Sequence, residues 1–192
     1  MPDLLLASSS PYRRTLLERL GLPFICAAPD IDETPAANES PEQLTQRLAL
    51  DKARALAERY PQHLIIGSDQ VLLLDGQSVS KPGTHAAAVA QLQRCSGRTV
   101  RFTTALCLLN SATDRYQLIS EPFDVSFREL SDETIERYLQ QEQPYDCAGS
   151  FRMEGLGISL FRSLRGDDPN SLIGLPLIRL CEMLRNEGLE LP

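Results

Sequence analysis

Hydrophobic positions along the chain change period repeatedly, and the changes mark out strands and helices. Asp3 to Ala7 is a short apolar run, read as a strand, that stops at the loop Ser8-Ser9-Ser10. Pro11 suits the first position of a helix, Leu16, Leu17 and Leu20 follow at helical spacing, and Gly21 ends the element. Ser40-Pro41-Glu42-Gln43 sets a glutamine three residues after an N-cap serine, the pattern of a capping box, and predicts a second helix running to about Tyr60. On that helix Leu44, Leu48, Lys52 and Leu56 form one row, which puts a lysine where a core residue would sit.

Leu64 to Val71 reads as a buried strand interrupted by Asp69, and Leu72-Leu73-Leu74 carries it to Asp75-Gly76, a dipeptide suited to a type I′ hairpin turn. Thr84 caps a third helix through about Arg94, ended by Gly97. Val100 to Leu109 and Tyr116 to Phe127 are two long strands joined near Asn110 to Arg115. Ser131-Asp132-Glu133 opens a helix reaching Gln141, with its acidic residues at the positive end of the helix dipole. A glycine-rich stretch from Cys147 to Gly157 leads to a strand from Ile158 to Leu164, and a last helix follows Gly174-Leu175-Pro176. No repeat or linker breaks the order. The pattern predicts a mixed α/β chain around one long, twisted, mixed sheet, a single domain over residues 1–192.

The 192 residues are 42% hydrophobic, enough for a real core in one domain or in two small lobes. A formal net charge of -7 argues against a broad surface for nucleic acid or anionic lipid, so any phosphate site must be local. No apolar stretch reaches the roughly 18 residues of a membrane span. Met1-Pro2-Asp3 before Leu4-Leu5-Leu6 lacks the basic region and length of a signal peptide, and the expected compartment is the cytosol. Cys26, Cys95, Cys107, Cys147 and Cys181 are widely spaced among apolar neighbours and read as reduced core thiols. With only His63 and His85 and no CxxC pair, a zinc site is not expected.

Against this background a few polar residues stand out. Hydroxyls and backbone N–H groups of Ser8 to Ser10, at a helix start beside Arg13 and Arg14, suit phosphate oxygens, although a serine cap with solvated arginines fits equally well. Asp69 is sharper, because a lone carboxylate buried in a strand is unfavourable unless it is paired or binds a metal. The alternative is an aspartate at a strand end capping a neighbouring helix, and the stem of Lys52 could simply snorkel past Leu48 and Leu56. Asp30-Ile31-Asp32-Glu33-Thr34 adds a carboxylate cluster, and Ser80-Lys81-Pro82-Gly83 a lysine in a turn. Together they offer carboxylates for a hard cation and cations for phosphate.

Taken in order, these segments resemble the Maf-like nucleotide pyrophosphatases over nearly the whole chain. Leu6-Ala7-Ser8-Ser9-Ser10-Pro11-Tyr12-Arg13-Arg14 is similar to the family's serine and arginine signature. Asp32-Glu33, Lys52-Ala53, Gly67-Ser68-Asp69-Gln70-Val71, Lys81-Pro82, Ser96-Gly97-Arg98-Thr99 and Gly174-Leu175-Pro176 follow in the family's order. The resemblance implies a long twisted mixed sheet flanked by helices, in two lobes with a central cleft, related to the inosine triphosphate pyrophosphatases. It implies hydrolysis of a nucleoside triphosphate between the α and β phosphates, aided by a divalent cation of the Mg or Mn kind. Asp69 becomes the general base and a cation ligand, Glu33 a second ligand, and Ser8, Arg13, Lys52 and Lys81 bind the triphosphate.

The family's thymidine and uridine branch carries Arg or Lys at the place of Tyr12, Thr at Gln70 and Gln at Glu154; the set here is similar to the branch acting on 7-methyl-GTP. N7-methylation leaves guanine positively charged, which suits the ring face of Tyr12, while the Glu154 carboxylate suits the guanine N1 and N2 hydrogens. Seen alone, Tyr12 is a helix residue on the surface and Glu154 a solvated loop acid. The expected partner is a small-molecule nucleotide, with no nucleic-acid polymer and no membrane, and a homodimer stays open. Two other readings remain: a pyrophosphatase of the same family acting on dTTP, UTP or many nucleotides, and a nucleotide-binding regulator of cell division.

Overall fold

A computed structural model of the chain describes residues 3–191. Its elements are β1 (Asp3–Ala7), α1 (Pro11–Glu18), β2 (Phe24–Ala27), α2 (Pro41–Arg54), β3 (His63–Leu74), β4 (Gln77–Val79) and α3 (His85–Cys95). They continue with β5 (Thr99–Asn110), β6 (Arg115–Phe127), α4 (Asp132–Glu142), β7 (Phe161–Arg165), α5 (Asn170–Ile173) and α6 (Leu177–Asn186). The strands form a seven-stranded sheet of order β2-β1-β3-β5-β6-β7, with β4 paired to β3. It is mixed: β1 runs parallel to β2 and β3, whereas β3 and β4 are antiparallel, as are β6 and β7. The expected α/β architecture is present.

The chain divides into two compact units. The first comprises residues 3–70, 104–121 and 168–191 of the described chain. Its strands β1, β3 and β5 are buried on both faces, which explains their continuous apolar runs. Leu4, Leu6, Leu64, Ile66, Leu106 and Leu108 face one way, onto Leu16 and Leu17 of α1 and Leu177, Leu180 and Leu184 of α6. Their alternates Leu5, Ala7, Ile65, Ala105, Cys107 and Leu109 pack against Ala49 and Ala53 of α2 and against Leu56. At Gly67 the α2 backbone approaches so closely that a Cβ would strike the Ala49 carbonyl. The predicted capping box is formed: Gln43 N donates to Ser40 Oγ (3.2 Å) and Ser40 N to Gln43 Oε1 (2.9 Å).

The second unit comprises residues 71–103 and 122–167. Asp75 and Gly76 take φ of 54° and 75° and close the two-residue hairpin between Leu74 and Gln77, as their sequence requires. Thr84 and Ser131 cap α3 and α4 by accepting from Ala87 N and Thr134 N, each at 3.3 Å. An aromatic cluster, in which Phe151 lies 5.5 Å from Phe102, 5.7 Å from Phe127 and 4.8 Å from Phe161 between ring centroids, occupies its interior.

Several expectations need correction. Helix α2 ends at Arg54 rather than near Tyr60; Leu56 N and Ala57 N bond three residues back, and no Gly or Pro precedes Pro61 to signal the stop. The strand expected at Ile158 to Leu164 begins at Phe161, because Leu156–Leu160 forms a 3₁₀ turn that leaves Ile158 53% exposed. Strand β2 and the short α5 carry too few residues to show a period. Only Cys95 and Cys107 are core thiols, pushed up by burial to about 11 and about 12. Cys26 is exposed, since β2 ends the strand order and covers only part of its side chains. No described helix is long and apolar enough to cross a membrane.

Candidate active site

Strand period decides where the polar stretch within β3 points. Ile65, Gly67 and Asp69 face α2, and Leu64, Ile66, Ser68 and Gln70 face the other way. Lys52, on the row of Leu48 and Leu56, therefore meets Asp69: its Nζ donates to Asp69 Oδ1 at 2.6 Å and also lies 2.9 Å from Glu33 Oε1. The lysine is buried, at 7% exposure, and the Asp69 side chain is 15% exposed, while that of Glu33 is 59% exposed. Burial of a charge in this position requires a partner, and each partner here is supplied by a different element: strand, helix and loop. Lys52 is thus an ion-paired residue, and Asp69 is not a helix cap.

Arg13 joins the group electrostatically. Burial of its guanidinium lowers its pKa, and the negative charges of Asp69 and Glu33 oppose that shift. Its Nε donates to the Gly174 carbonyl at 2.8 Å. Ser8 is buried at the end of β1, and its hydroxyl accepts from Ser10 N at 3.1 Å, which shapes the serine loop ahead of α1. Ser10 is the actual N-cap, accepting from Arg13 N at 3.4 Å. Tyr12 is half-buried in the first turn of α1, next to Arg13.

The opposite face of β3 holds a second polar group that periodicity did not single out. Ser68 Oγ lies 2.8 Å from the Ala105 carbonyl and 3.0 Å from that of Gly174. Gln70 Nε2 donates toward the carbonyls of Ser171 (2.7 Å) and Leu172 (3.2 Å) and toward Thr104 Oγ1 (2.9 Å). The turn they grip is pinned by the fully buried Asp168, whose Oδ1 accepts from Asn170 N (2.8 Å) and whose Oδ2 accepts from Ile178 N (2.7 Å). The signal for it was Asp168-Pro169-Asn170, a turn-forming sequence in which the aspartate caps the backbone two residues on.

Lys81 and Glu154 belong to the second unit, and both are exposed. The Lys81 loop is held by Gly83 N donating to the Tyr145 carbonyl (2.9 Å) and Gln91 Nε2 donating to the Ser80 carbonyl (2.8 Å). The Glu154 turn is held by Arg152 N donating to Tyr138 Oη at 3.0 Å. Among the described residues no group of three or more His, Cys, Asp or Glu side chains gathers to hold a metal. Glu33 and Asp69, both on Lys52, offer two carboxylates. Such a set fits a Mg-type cation, which takes one or two carboxylates and fills its shell with water and substrate phosphate.

The profile described as Maf-like protein matches residues 3–187. The chain belongs to the Maf family. It is 60% identical, over 192 residues and the whole of both chains, to proteins named 7-methyl-GTP pyrophosphatase from Pseudomonas aeruginosa and from Pseudomonas savastanoi pv. phaseolicola. Among solved structures, the Ham1 protein of Staphylococcus aureus matches 66% of this chain and 72% of its own at 15% identity, with a TM-score of 0.48. Several of the Maf segments occupy element ends: Ser8 to Arg14 runs from the loop after β1 into the start of α1, Lys52 lies near the end of α2, Lys81 before α3, and Gly174 to Pro176 between α5 and α6, whereas Gly67 to Val71 lies within β3. Element ends are where backbone groups remain open and side chains can serve chemistry without breaking the ladders of the core.

Proposed function

We propose that this Maf protein hydrolyses the α–β phosphoanhydride of a nucleoside triphosphate, releasing the monophosphate and pyrophosphate, and that its substrate is 7-methyl-GTP. The observation that carries the reaction is the Asp69–Lys52–Glu33 cluster, with Arg13 in the field of its carboxylates. Substrate choice is supported by the relatives' names at 60% identity and by Tyr12 and Glu154.

Attack by water at the α phosphorus forms one P–O bond and breaks the bond to the bridging oxygen, and negative charge grows on the departing pyrophosphate. Asp69 accepts the water's proton; the contact from Lys52 holds its carboxylate in a fixed direction. Arg13, Lys52 and Ser8 hold phosphate oxygens by charge and hydrogen bonding. Lys52 and Arg13 balance Glu33 and Asp69 in charge, so the cluster needs a further cation to receive a polyanion. A divalent cation on Glu33 and Asp69 would neutralise phosphate oxygens when bound. Lys81, as a further triphosphate ligand, and Glu154, as the acceptor for the guanine edge, rest on the family pattern, as does the stacking of the cationic base on Tyr12.

Pyrophosphate release measured over 7-methyl-GTP, GTP, dTTP and UTP tests both parts. The expected result is release from 7-methyl-GTP with the highest kcat/KM of the set. Release fastest from a pyrimidine nucleotide would remove the substrate assignment, and release from none would remove the reaction.

A further inference from the structure

Within the second unit, the segments that carry Lys81 and Glu154 are joined by one side chain that the proposed reaction leaves unused. Gln91, on α3, donates from Nε2 to the Ser80 carbonyl at 2.8 Å, next to Lys81. Its other end, Oε1, accepts from Ser150 Oγ at 2.6 Å, four residues before Glu154. A carbonyl can only accept, so the NH₂ end of the amide faces Ser80 and its oxygen is left for the hydroxyl. All of these residues belong to one compact unit.

Further bonds hold each segment against the other. Beyond Lys81, Gly83 N donates to the Tyr145 carbonyl at 2.9 Å, so the lysine turn is tied to the stretch 145–150 on both sides, once directly and once through Gln91. Tyr145 is held in turn: its Oη lies 2.9 Å from His85 Nδ1, and His85 Nε2 lies 2.9 Å from Glu136 Oε2. Toward Glu154 the chain turns through two left-handed residues, Gly149 at φ 78° and Ser150 at φ 60°. A Cβ at Gly149 would stand 2.9 Å from Leu72 Cδ2 and 3.1 Å from Phe151 Cε1, so a glycine is needed there. Ser150 bears a side chain in the same conformation, which persists where the surroundings over-determine it, and this fully buried serine spends its hydroxyl on Gln91. Phe151 then enters the aromatic cluster, Arg152 N donates to Tyr138 Oη at 3.0 Å, and Gly155 N closes on the Arg152 carbonyl at 3.3 Å, with Glu154 exposed in that turn.

We propose that Gln91 is a positioning residue that sets the separation of Lys81 and Glu154, and with it the span from phosphate chain to base that the second unit recognises. This rests on the reading of Lys81 as a triphosphate ligand and of Glu154 as the acceptor for the base. The two ends of one planar amide divide the work: Nε2 holds the phosphate side and Oε1 the base side. Removing the serine hydroxyl frees the base side alone, whereas replacing the glutamine frees both.

The test is calorimetric, with Mg²⁺ present. Binding of inorganic triphosphate reads the phosphate side, and the preference for 7-methyl-GMP over UMP, as a ratio of Kd values, reads the base side. Gln91→Met keeps the length and removes both bonds; it should raise the Kd for inorganic triphosphate and lower the preference, each roughly 3- to 10-fold, the equivalent of one neutral hydrogen bond. Ser150→Ala should lower the preference by a similar factor and leave inorganic triphosphate unchanged, a split that a general loss of stability does not produce. Ser150→Ala should change the preference no further on a Glu154→Gln background, and Gln91→Met should not weaken inorganic triphosphate further on a Lys81→Ala background. The proposal falls if Gln91→Met leaves both readings within about twofold of wild type, or if Ser150→Ala weakens both equally. Should Gln91→Met fail to fold, Ser150→Ala decides through the split. If Lys81→Ala and Glu154→Gln by themselves move neither reading, the roles given to those two residues fail and this inference with them; if they do and the Gln91 and Ser150 variants do not, this inference alone fails. Wild-type protein that binds both kinds of probe but releases no pyrophosphate would overturn the proposed reaction, and the Kd values would still decide the role of Gln91; protein that binds neither would overturn this inference.

Discussion

Lys52 and Asp69 together explain how a charged pair is tolerated in the core of this chain. Nζ and Oδ1 are 2.6 Å apart, and removing either would leave the other partly buried. Glu33 provides Lys52 with a second counter-charge at 2.9 Å, so the loss of Asp69's charge does not strand the lysine. Asp69→Asn should accordingly fold, with circular dichroism matching the wild type, while kcat falls at least about 100-fold, the lower range for a positioned general base. An Asn variant retaining more than about a tenth of the activity would remove Asp69 from that role. Both residues were legible because each interrupts an apolar pattern, a lysine in a leucine row and an aspartate in a strand. The grip of Gln70 was not legible, since its acceptors are backbone carbonyls about a hundred positions downstream and backbone groups carry no sequence signature.

Among elements, α2 does the most to assemble the cluster, and it also holds the loop that carries Glu33. Arg47 of α2 donates to both Glu39 oxygens, from Nε at 2.7 Å and Nη2 at 2.9 Å, and from Nη2 to the Thr34 carbonyl at 3.1 Å. Glu39 in turn accepts from Ala36 N at 2.9 Å, so the segment after Glu33 is clamped at several points. The Arg47 hydrogen bonds, and then that from Ala36, lower the Glu39 carboxyl from 4.5 to about 2. A carboxylate with a depressed folded-state pKa stabilises the fold above its ordinary pKa and loses that contribution as pH falls toward the depressed value. The Tm difference between wild type and Glu39→Gln should be constant above about pH 5 and shrink as pH drops from 4.5 toward 2. A difference that is unchanged across that range would show that the clamp does not stabilise the folded chain. The start of α2 was legible from its capping box, but its end was not, because three-residue turns replace helical bonds with no breaker in the sequence.

Across the whole molecule, the order of strands and helices followed from period and turn chemistry, whereas its division into two units did not. Strands β3, β5 and β6 each pass from one unit to the other, so an apolar run continues across every boundary and no linker marks it. Charge matters more for function at this scale. With a net charge of -7, the protein offers a polyanionic substrate no general attraction, and Lys52 and Arg13 are offset by Asp69 and Glu33. On the proposed reading, a triphosphate would bind with the help of additional positive charge, which a hard divalent cation held by two carboxylates and the phosphates would supply. Exhaustive chelation should abolish pyrophosphate release, and Mg²⁺ or Mn²⁺ should restore it, with Glu33→Gln shifting the cation concentration for half-maximal activity upward. The fold should be indifferent to the treatment, because Lys52 already pairs with one oxygen of each carboxylate. A Tm unchanged by chelation alongside lost turnover would separate a catalytic cation from a structural one. Full activity after metal removal would mean that this chain's own cations suffice, and Lys81, the exposed lysine ahead of α3, would become the first residue to replace.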